Sequence, residues 1–295
     1  MNNSEEDILF VVNPNSGKKK VLKILDNIKE QFPHSDIFIS KSKEEFNKEF
    51  QKTIDKYYIY IVVGGDGTIN SVAEKLSNFD NKVLAVLPTG SGNGFARELG
   101  FTKNVKSLKE DIKRNELIKI DILSLNSDIC FNIAGIGFDA FVANDFKESK
   151  RRGLLSYIFS IIKSVFKFKP FIIKISSNNF QFEGKIQMLC IANTRQFGNG
   201  AIIAPQAIPT DEIYDLVIVK PFPVYYYPIF VLKLMTGKMN DSKFVLFLKI
   251  KDKTTIQSNF KLLHIDGEPM SFNKDLKIKL SERKLNVLRS INSNL

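Results

Sequence analysis

The groups best suited to chemistry in this chain are carboxylates set in short glycine-bearing segments. Asp66 lies inside GGDGT, where flanking glycines leave its side chain close to whatever those backbones cradle. Asp266 and Glu268 lie inside HIDGEP, at the end of an apolar run. A carboxylate in such a place can act as a general base in group transfer. Plainer roles compete, since an aspartate before Thr68 can cap a helix and Asp-Gly is a common hairpin turn. Histidine offers little, with only His34 and His264, and no C-x-x-C pair suggests zinc, so acid/base work falls to the carboxylates.

Three turns rich in glycine accompany these acids. They are residues 13–17 (Asn13, Pro14, Asn15, Ser16, Gly17), residues 64–70 (Gly64, Gly65, Asp66, Gly67, Thr68, Ile69, Asn70) and residues 88–94 (PTGSGNG, with Ser91). Each follows a short β-branched run: ILFVV, YIYIVV and KVLAVLP. Such continuous apolar runs are expected of strands buried on both faces of a parallel sheet, and helical spacing after each turn makes α/β units. In an open parallel sheet all three turns lie at the carboxyl edge, where backbone amides and helix N-termini receive phosphate. A nucleotide is the expected ligand. The Walker pattern fails because Val12 stands at the first glycine and Lys19 at the Ser/Thr, and Gly135-x-Gly137-x-x-Ala140 lacks the acid a ribose contact needs.

From about Lys119 the rhythm changes to strand-like runs with few helices, expected of an antiparallel β domain. The expected fold class is α/β plus β: an open parallel nucleotide domain over residues 1–119, then a β-sandwich over residues 120–295 whose last segment is free to pack back on the first domain. Two helical insertions interrupt the second domain, over residues 154–168 and 224–236. In the first, Ser156, Ser160, Lys163 and Lys167 form a polar stripe, and its apolar face is expected to cover the β domain.

The chain has 295 residues, 43% hydrophobic and 25% charged, which suits a folded globular protein. Cys130 and Cys190 sit in apolar runs and read as buried thiols of a reducing compartment. The N-terminus is acidic rather than signal-like, and no run reaches membrane-spanning length, so a cytoplasmic protein, peripheral to the membrane, is expected. A net charge of +11 favours an anionic partner. Without an aromatic-interleaved basic stripe, nucleic acid is not the partner expected. The basic stretch at residues 147–152, with Lys150, Arg151 and Arg152, is a docking candidate for an anionic membrane.

In order along the chain, NPNSG, GGDGTIN, LPTGSGNGFARELG, FNIAGIGFDA, GLLSYI, IANTRQFGNGAIIAPQA, TDEIYDL and IDGEP resemble the diacylglycerol kinase catalytic-domain family, which includes bacterial lipid kinases and the sphingosine and ceramide kinases. The resemblance implies phosphorylation of a lipid hydroxyl by ATP. It implies that residues 13–17, Ser40, residues 64–70 and Ser91 line the ATP site. Asp266 or Glu268 would be the base, with Asp66 beside the phosphates or serving as base itself. A structural Mg2+ would be held by Asp211 and the carbonyls of Ile208 and Ile213, although Glu212 stands where the family has glycine. Self-association into a homodimer is open. Rival readings are a soluble-metabolite kinase of the NAD kinase type and a non-catalytic nucleotide- or nucleic-acid-binding protein.

Overall fold

The computed structural model describes residues 5–16, 19–40, 42–90, 92–148, 154–293 and 295, with backbone only at residues 19, 20, 22, 43 and 154–158. Gly17, Lys18, Ser91, Lys150, Arg151 and Arg152 lie outside the described residues, as do the side chains of Lys19 and Ser156. The chain forms two compact units, Met1–Ile120 with Arg283–Leu295, and Asp121–Glu282.

The first unit runs β1 (Ile8–Val12), α1 (Lys19–Gln31), β2 (Asp36–Ile39), α2 (Lys43–Thr53), β3 (Ile59–Gly64), α3 (Asp66–Leu76), β4 (Val83–Pro88), α4 (Gly94–Glu98), α5 (Val105–Arg114) and β5 (Leu117–Ile120). Strands β1, β3 and β4 are buried along their whole length, which is why their sequences are unbroken aliphatic runs. Helices form where caps and spacing allow. Ser42 accepts the Glu45 amide at the start of α2, and Asn104 accepts the amides of Lys106 and Ser107 at the start of α5.

The sheet order is β2-β1-β3-β4, all parallel. It is completed by the C-terminal strand Leu285–Leu288, parallel to β4 and antiparallel to β5. The chain steps from β1 outward to β2, then returns past β1 to β3 and β4. The carboxyl ends of β1 and β3 therefore flank the point where winding reverses, the place such sheets leave open for a ligand. The C-terminal strand is fastened beside β4 by Asn286, whose Nδ2 donates to Asp80 O at 2.7 Å, and by the Ile291 amide on Asp111 Oδ1 at 2.6 Å.

The second unit contains β6 (Leu123–Leu125), β7 (Asp128–Cys130), β8 (Ile133–Gly137), α6 (Phe138–Glu148), α7 (Leu154–Lys167), β9 (Phe171–Ser176), β10 (Gln181–Ile186), β11 (Met188–Ala192), β12 (Tyr214–Val219), α8 (Tyr227–Thr236), β13 (Val245–Ile250), β14 (Thr254–Ser258), β15 (Leu262–Ile265), β16 (Glu268–Ser271) and β17 (Leu276–Leu280). Two antiparallel sheets result, β10-β9-β14-β17-β6-β7 and β13-β12-β11-β8-β15-β16. Their facing side chains, among them Ile173, Ile175, Leu276 and Ile278 against Ile136, Leu189, Leu216 and Leu263, make one core. Strands β8, β11 and β12 are also covered on their other face by Ile203, Ala204, Phe230 and Met239, so they too read as continuous apolar runs.

Helix α7 departs from the expectation that its apolar side is covered. Ser160 and Ser164 are buried, while Phe159, Ile162 and Phe166 are exposed, Phe166 to 76%. These three lie at i, i+3 and i+7, one stripe of the helix. The small serines face inward because α7 packs closely on α6, where Lys163 Nζ pairs with Asp145 at 2.7 Å.

Candidate functional site

The three glycine turns of the first unit are stitched to one another. Asn13 is the centre of this network. Its amide donates to Val63 O at 3.0 Å, its Oδ1 accepts the Asn15 amide at 2.9 Å, and its Nδ2 donates to Thr68 Oγ1 at 2.9 Å. The first turn is joined to the third by Thr89 Oγ1, which donates to Ser16 Oγ at 2.9 Å. The second is joined to the third twice: the Thr89 amide donates to Gly64 O at 2.8 Å, and the Asn93 amide donates to Asp66 Oδ2 at 2.8 Å.

Glycine is required where these backbones meet. A Cβ on Gly90 would fall 2.7 Å from Gly65 Cα and 2.8 Å from Asn93 Oδ1, and one on Gly92 would fall 3.1 Å from Asp66 Oδ2. Asn93 takes the left-handed conformation (φ 51°) to start α4, and its Oδ1 is buried with no hydrogen-bond partner. Orphaned acceptors are uncommon inside proteins and mark a corner that an incoming donor or cation would satisfy.

The remaining residues of these turns are placed as follows. Pro14 and Ser16 are half-buried and Asn15 and Gly67 exposed; Asn70 is half-buried on α3. Ser40 follows β2 with its amide on Val12 O at 2.9 Å, and its hydroxyl donates to Ser42 O at 2.8 Å. Ile69 turns its side chain fully into the core and its amide donates to Gly65 O at 3.0 Å, so it packs α3 and leaves the turn surface to its neighbours.

Asp266 and Glu268 belong to the second unit. Ile265 pairs with Glu268 across β15 and β16, leaving Asp266-Gly267 as a two-residue turn with φ of 51° and 86°, both positive as a type I′ hairpin demands. The Asp266 carboxylate is nevertheless more than a turn residue. Its Oδ1 accepts the amides of Asn132 (2.8 Å) and Ile133 (3.1 Å) and the Cys130 thiol (3.0 Å), and its Oδ2 accepts the Phe131 amide (3.0 Å). Burial pushes this carboxyl above its ordinary value; the Phe131 amide, the Cys130 thiol and the Asn132 amide pull the other way. Glu268 is exposed.

Asp139 and His264 are part of the same arrangement, and residue reading alone passed over both. His264 Nδ1 accepts the Gly267 amide at 3.3 Å, which leaves Nε2 to donate to Asp139 Oδ2 at 3.0 Å. The pair is almost sealed, with side chains 5% and 11% exposed. Gly135 makes room for it, since a Cβ there would lie 1.8 Å from Asp139 Oδ2 and 2.6 Å from His264 Nε2. The available signal was the joint presence of GFDA and HIDGEP, but nothing in either stretch says that they meet. Cys130 and Cys190 are free buried thiols whose ionisation burial pushes well up.

The residues proposed for a structural metal do not make a ready cage. Asp211 Oδ1 accepts the Ile213 amide at 3.1 Å, and Oδ2 faces Lys249 Nζ at 3.9 Å, so an ammonium already stands beside it. Glu212 adopts the left-handed conformation (φ 59°) that glycine would take more readily, with its amide held by Asp121 Oδ2 at 2.8 Å. No group of three or more metal-ligating side chains occurs among the described residues.

Asp215, on β12 beside this segment, is 3% exposed, and burial pushes its carboxyl up to about 6, with Lys249 opposing and Asp211 adding to the rise. Because the folded state holds this proton more tightly than the unfolded chain, its contribution to stability falls as pH rises from about 4 through 6. Asp215→Asn should therefore raise stability at pH 7 by about 1–2 kcal/mol, after allowance for solvent screening, and flatten the pH dependence in that window. Urea unfolding at several pH values measures this. A destabilised variant whose deficit tracks Mg2+ concentration would instead assign a cation to the segment.

Comparison with known proteins fits this architecture. The diacylglycerol kinase catalytic domain matches residues 7–125, and the YegS C-terminal NAD kinase beta sandwich-like domain matches residues 132–288. The chain belongs to the YegS-like lipid kinase family. It is 28% identical over 289 residues to the protein named "putative lipid kinase YtlR" of Bacillus subtilis (strain 168), covering 88% of this chain and 93% of that one. It is 25% identical to the diacylglycerol kinase of the same organism, covering 88% of each. In fold it is similar to a diacylglycerol kinase from Bacillus anthracis str. Sterne, with a TM-score of 0.75 at 20% identity over 97% of both chains. An NAD kinase from Archaeoglobus fulgidus in complex with ATP shares the fold more loosely, with a TM-score of 0.56 at 15% identity over 96% of this chain and 94% of that one. The chain thus combines an α/β domain with a parallel sheet and, after it, an antiparallel β-sandwich domain.

Proposed function

We propose that the chain transfers the γ-phosphate of ATP directly to the hydroxyl of a diacylglycerol-like or sphingoid lipid. The observation that carries this reading is the close backbone approach of Gly65 and Gly90, which brings the turns after β3 and β4 together at the carboxyl edge of the first sheet, beside its winding reversal, with no side chain on either glycine. Such a surface suits a triphosphate, whose transfer depends on positioning and charge neutralisation more than on covalent chemistry. Mg2+ accompanying ATP would neutralise phosphate charge, and Asp66, the acid within these turns, is the residue assigned to it.

Asp266 is assigned as the base that takes the proton of the acceptor hydroxyl. Its Oδ1 is saturated by three donors and fixes the carboxylate; Oδ2 has one, which leaves a lone pair for the proton. Burial moves its proton affinity toward neutral pH, as a base requires. Asp139 and His264 hold the turn that carries it. The acceptor would be met at the anionic cytoplasmic face of the membrane, consistent with the net charge of +11. No helix among the described residues is long and apolar enough to cross a membrane.

The purified full chain with γ-labelled ATP should label at least one of diacylglycerol, sphingoid base, ceramide, monoacylglycerol or undecaprenol. Label in NAD with none in lipid would favour a soluble-metabolite kinase. Salt-dependent DNA binding without any transfer would end the kinase reading.

A further inference from the structure

Helix α8 is apolar on both sides, and only one side is covered. Phe230 and Leu234, with Tyr226 of the preceding 3-10 turn, pack on the outer face of the β8-β11-β12 sheet. Ile229, Leu232 and Met235, at i, i+3 and i+6, form a second stripe that is exposed, continued by Tyr225 in the 3-10 turn that leads into the helix, Tyr225 to 78% and Leu232 to 63%. A helix apolar all round is normally enclosed, so this stripe calls for a partner. The helix is firmly set: Pro228 occupies its first turn, Gly237 (φ 70°) ends it, and Gln187 Nε2 donates to Tyr227 Oη at 2.5 Å.

We propose that this stripe inserts into the headgroup region of an anionic bilayer. The charge around it selects that occupant. Residues 220–243 carry Lys220, Lys233, Lys238 and Lys243 against Asp241 alone. Lys220, Lys238 and Lys243 are exposed, and Lys233 is spent on the Asp241 carbonyl at 2.9 Å. An apolar ridge with an aromatic at one end and lysines around it is the composition of an interfacial helix. Phe138 touches both Phe168, just past α7, and Tyr227 of α8, with ring centroids 5.6 and 5.5 Å apart, so the end of α7 and the start of α8 share one aromatic neighbour.

The inference rests on the lipid-kinase reading for its choice of occupant, but its test uses no ATP, so the two can fail separately. The chain contains no tryptophan. Tyr225→Trp and Leu232→Trp in the full chain are therefore single reporters, with Phe79→Trp in the first unit as the control. With vesicles of phosphatidylcholine and phosphatidylglycerol, emission from positions 225 and 232 should shift to the blue and be quenched by brominated lipid, while position 79 stays unchanged. Leu232→Gln should lower vesicle partitioning about tenfold, and Lys220→Gln with Lys238→Gln about thirtyfold, each with an unaltered thermal midpoint. Unchanged emission at 225 and 232, or partitioning indifferent to these variants, overturns the proposal. So does a dimer in sedimentation velocity that Leu232→Gln dissociates while vesicle binding persists, which would give the stripe to a second copy of this chain.

Discussion

Gly90→Ala should weaken ATP binding about a hundredfold while leaving most of the fold intact. The added methyl carbon would stand 2.7 Å from Gly65 Cα and 2.8 Å from Asn93 Oδ1, closer than nonbonded carbon tolerates. Gly65 cannot give way cheaply: it opens α3 and its carbonyl accepts the amides of Thr68 and Ile69 at 3.0 Å each. Asn93 is tied on two sides, through its amide to Asp66 and through Nδ2 to Gly90 O at 2.8 Å. The second and third turns must therefore part by several tenths of an ångström, carrying Asp66 with them. Overpacking of this kind costs about 1–3 kcal/mol, and where that strain falls on the ATP-bound arrangement of the turns it amounts to about 5- to 150-fold in affinity. Calorimetric titration with ATP and a urea melt separate the two effects. Normal ATP affinity in the variant would mean that phosphate does not lie along these turns.

The first sheet was legible because its central strands are buried on both faces, a condition that writes itself as ILFVV, IYIVV and VLAVL. Its three turns were legible because close approach of backbones demands glycine. What escaped depends on distant partners. The sequence leaves the last segment free to pack back on the first domain, but nothing in the short stretch Leu285–Leu288 says that it adds a parallel strand beside β4. Asp139 and His264 are separated by 125 residues, and nothing local marks either as paired. Helix α7 shows hydropathy misleading outright: close packing on α6 favours small Ser160 and Ser164 inside, which sends Phe159 and Phe166 outward. Asp266 makes the hairpin turn and also clasps residues 130–133, because a type I′ turn fixes the backbone while leaving the side chain free to enter a nest of amides.

That double role makes Asp266 the residue whose replacement is most informative. Asp266→Asn keeps one carbonyl oxygen for the amides of Asn132 and Ile133, but exchanges charge-assisted hydrogen bonds for neutral ones and puts an amide group where Oδ2 stood. About 2–4 kcal/mol of stability should be lost, because the Phe131 amide, which donates to Oδ2, is left facing an NH2 group while the other buried donors keep weaker partners. The turnover number should fall about 100- to 10,000-fold, the usual effect of removing a general base. The activity loss must therefore exceed anything the unfolded fraction explains at a temperature well below the melt. Glu268→Gln is the matched control: exposed, one residue beyond the turn, it should cost less than about tenfold in rate and leave stability unchanged, as surface substitutions do. The reverse pattern, with Glu268→Gln inactive and Asp266→Asn merely unstable, would move the base to Glu268 and leave Asp266 as the clasp that ties the hairpin to residues 130–133. The pH profile decides independently. A base whose proton affinity burial has raised should show its acidic limb above the ordinary carboxylate range, and that limb should vanish from the residual activity of Asp266→Asn.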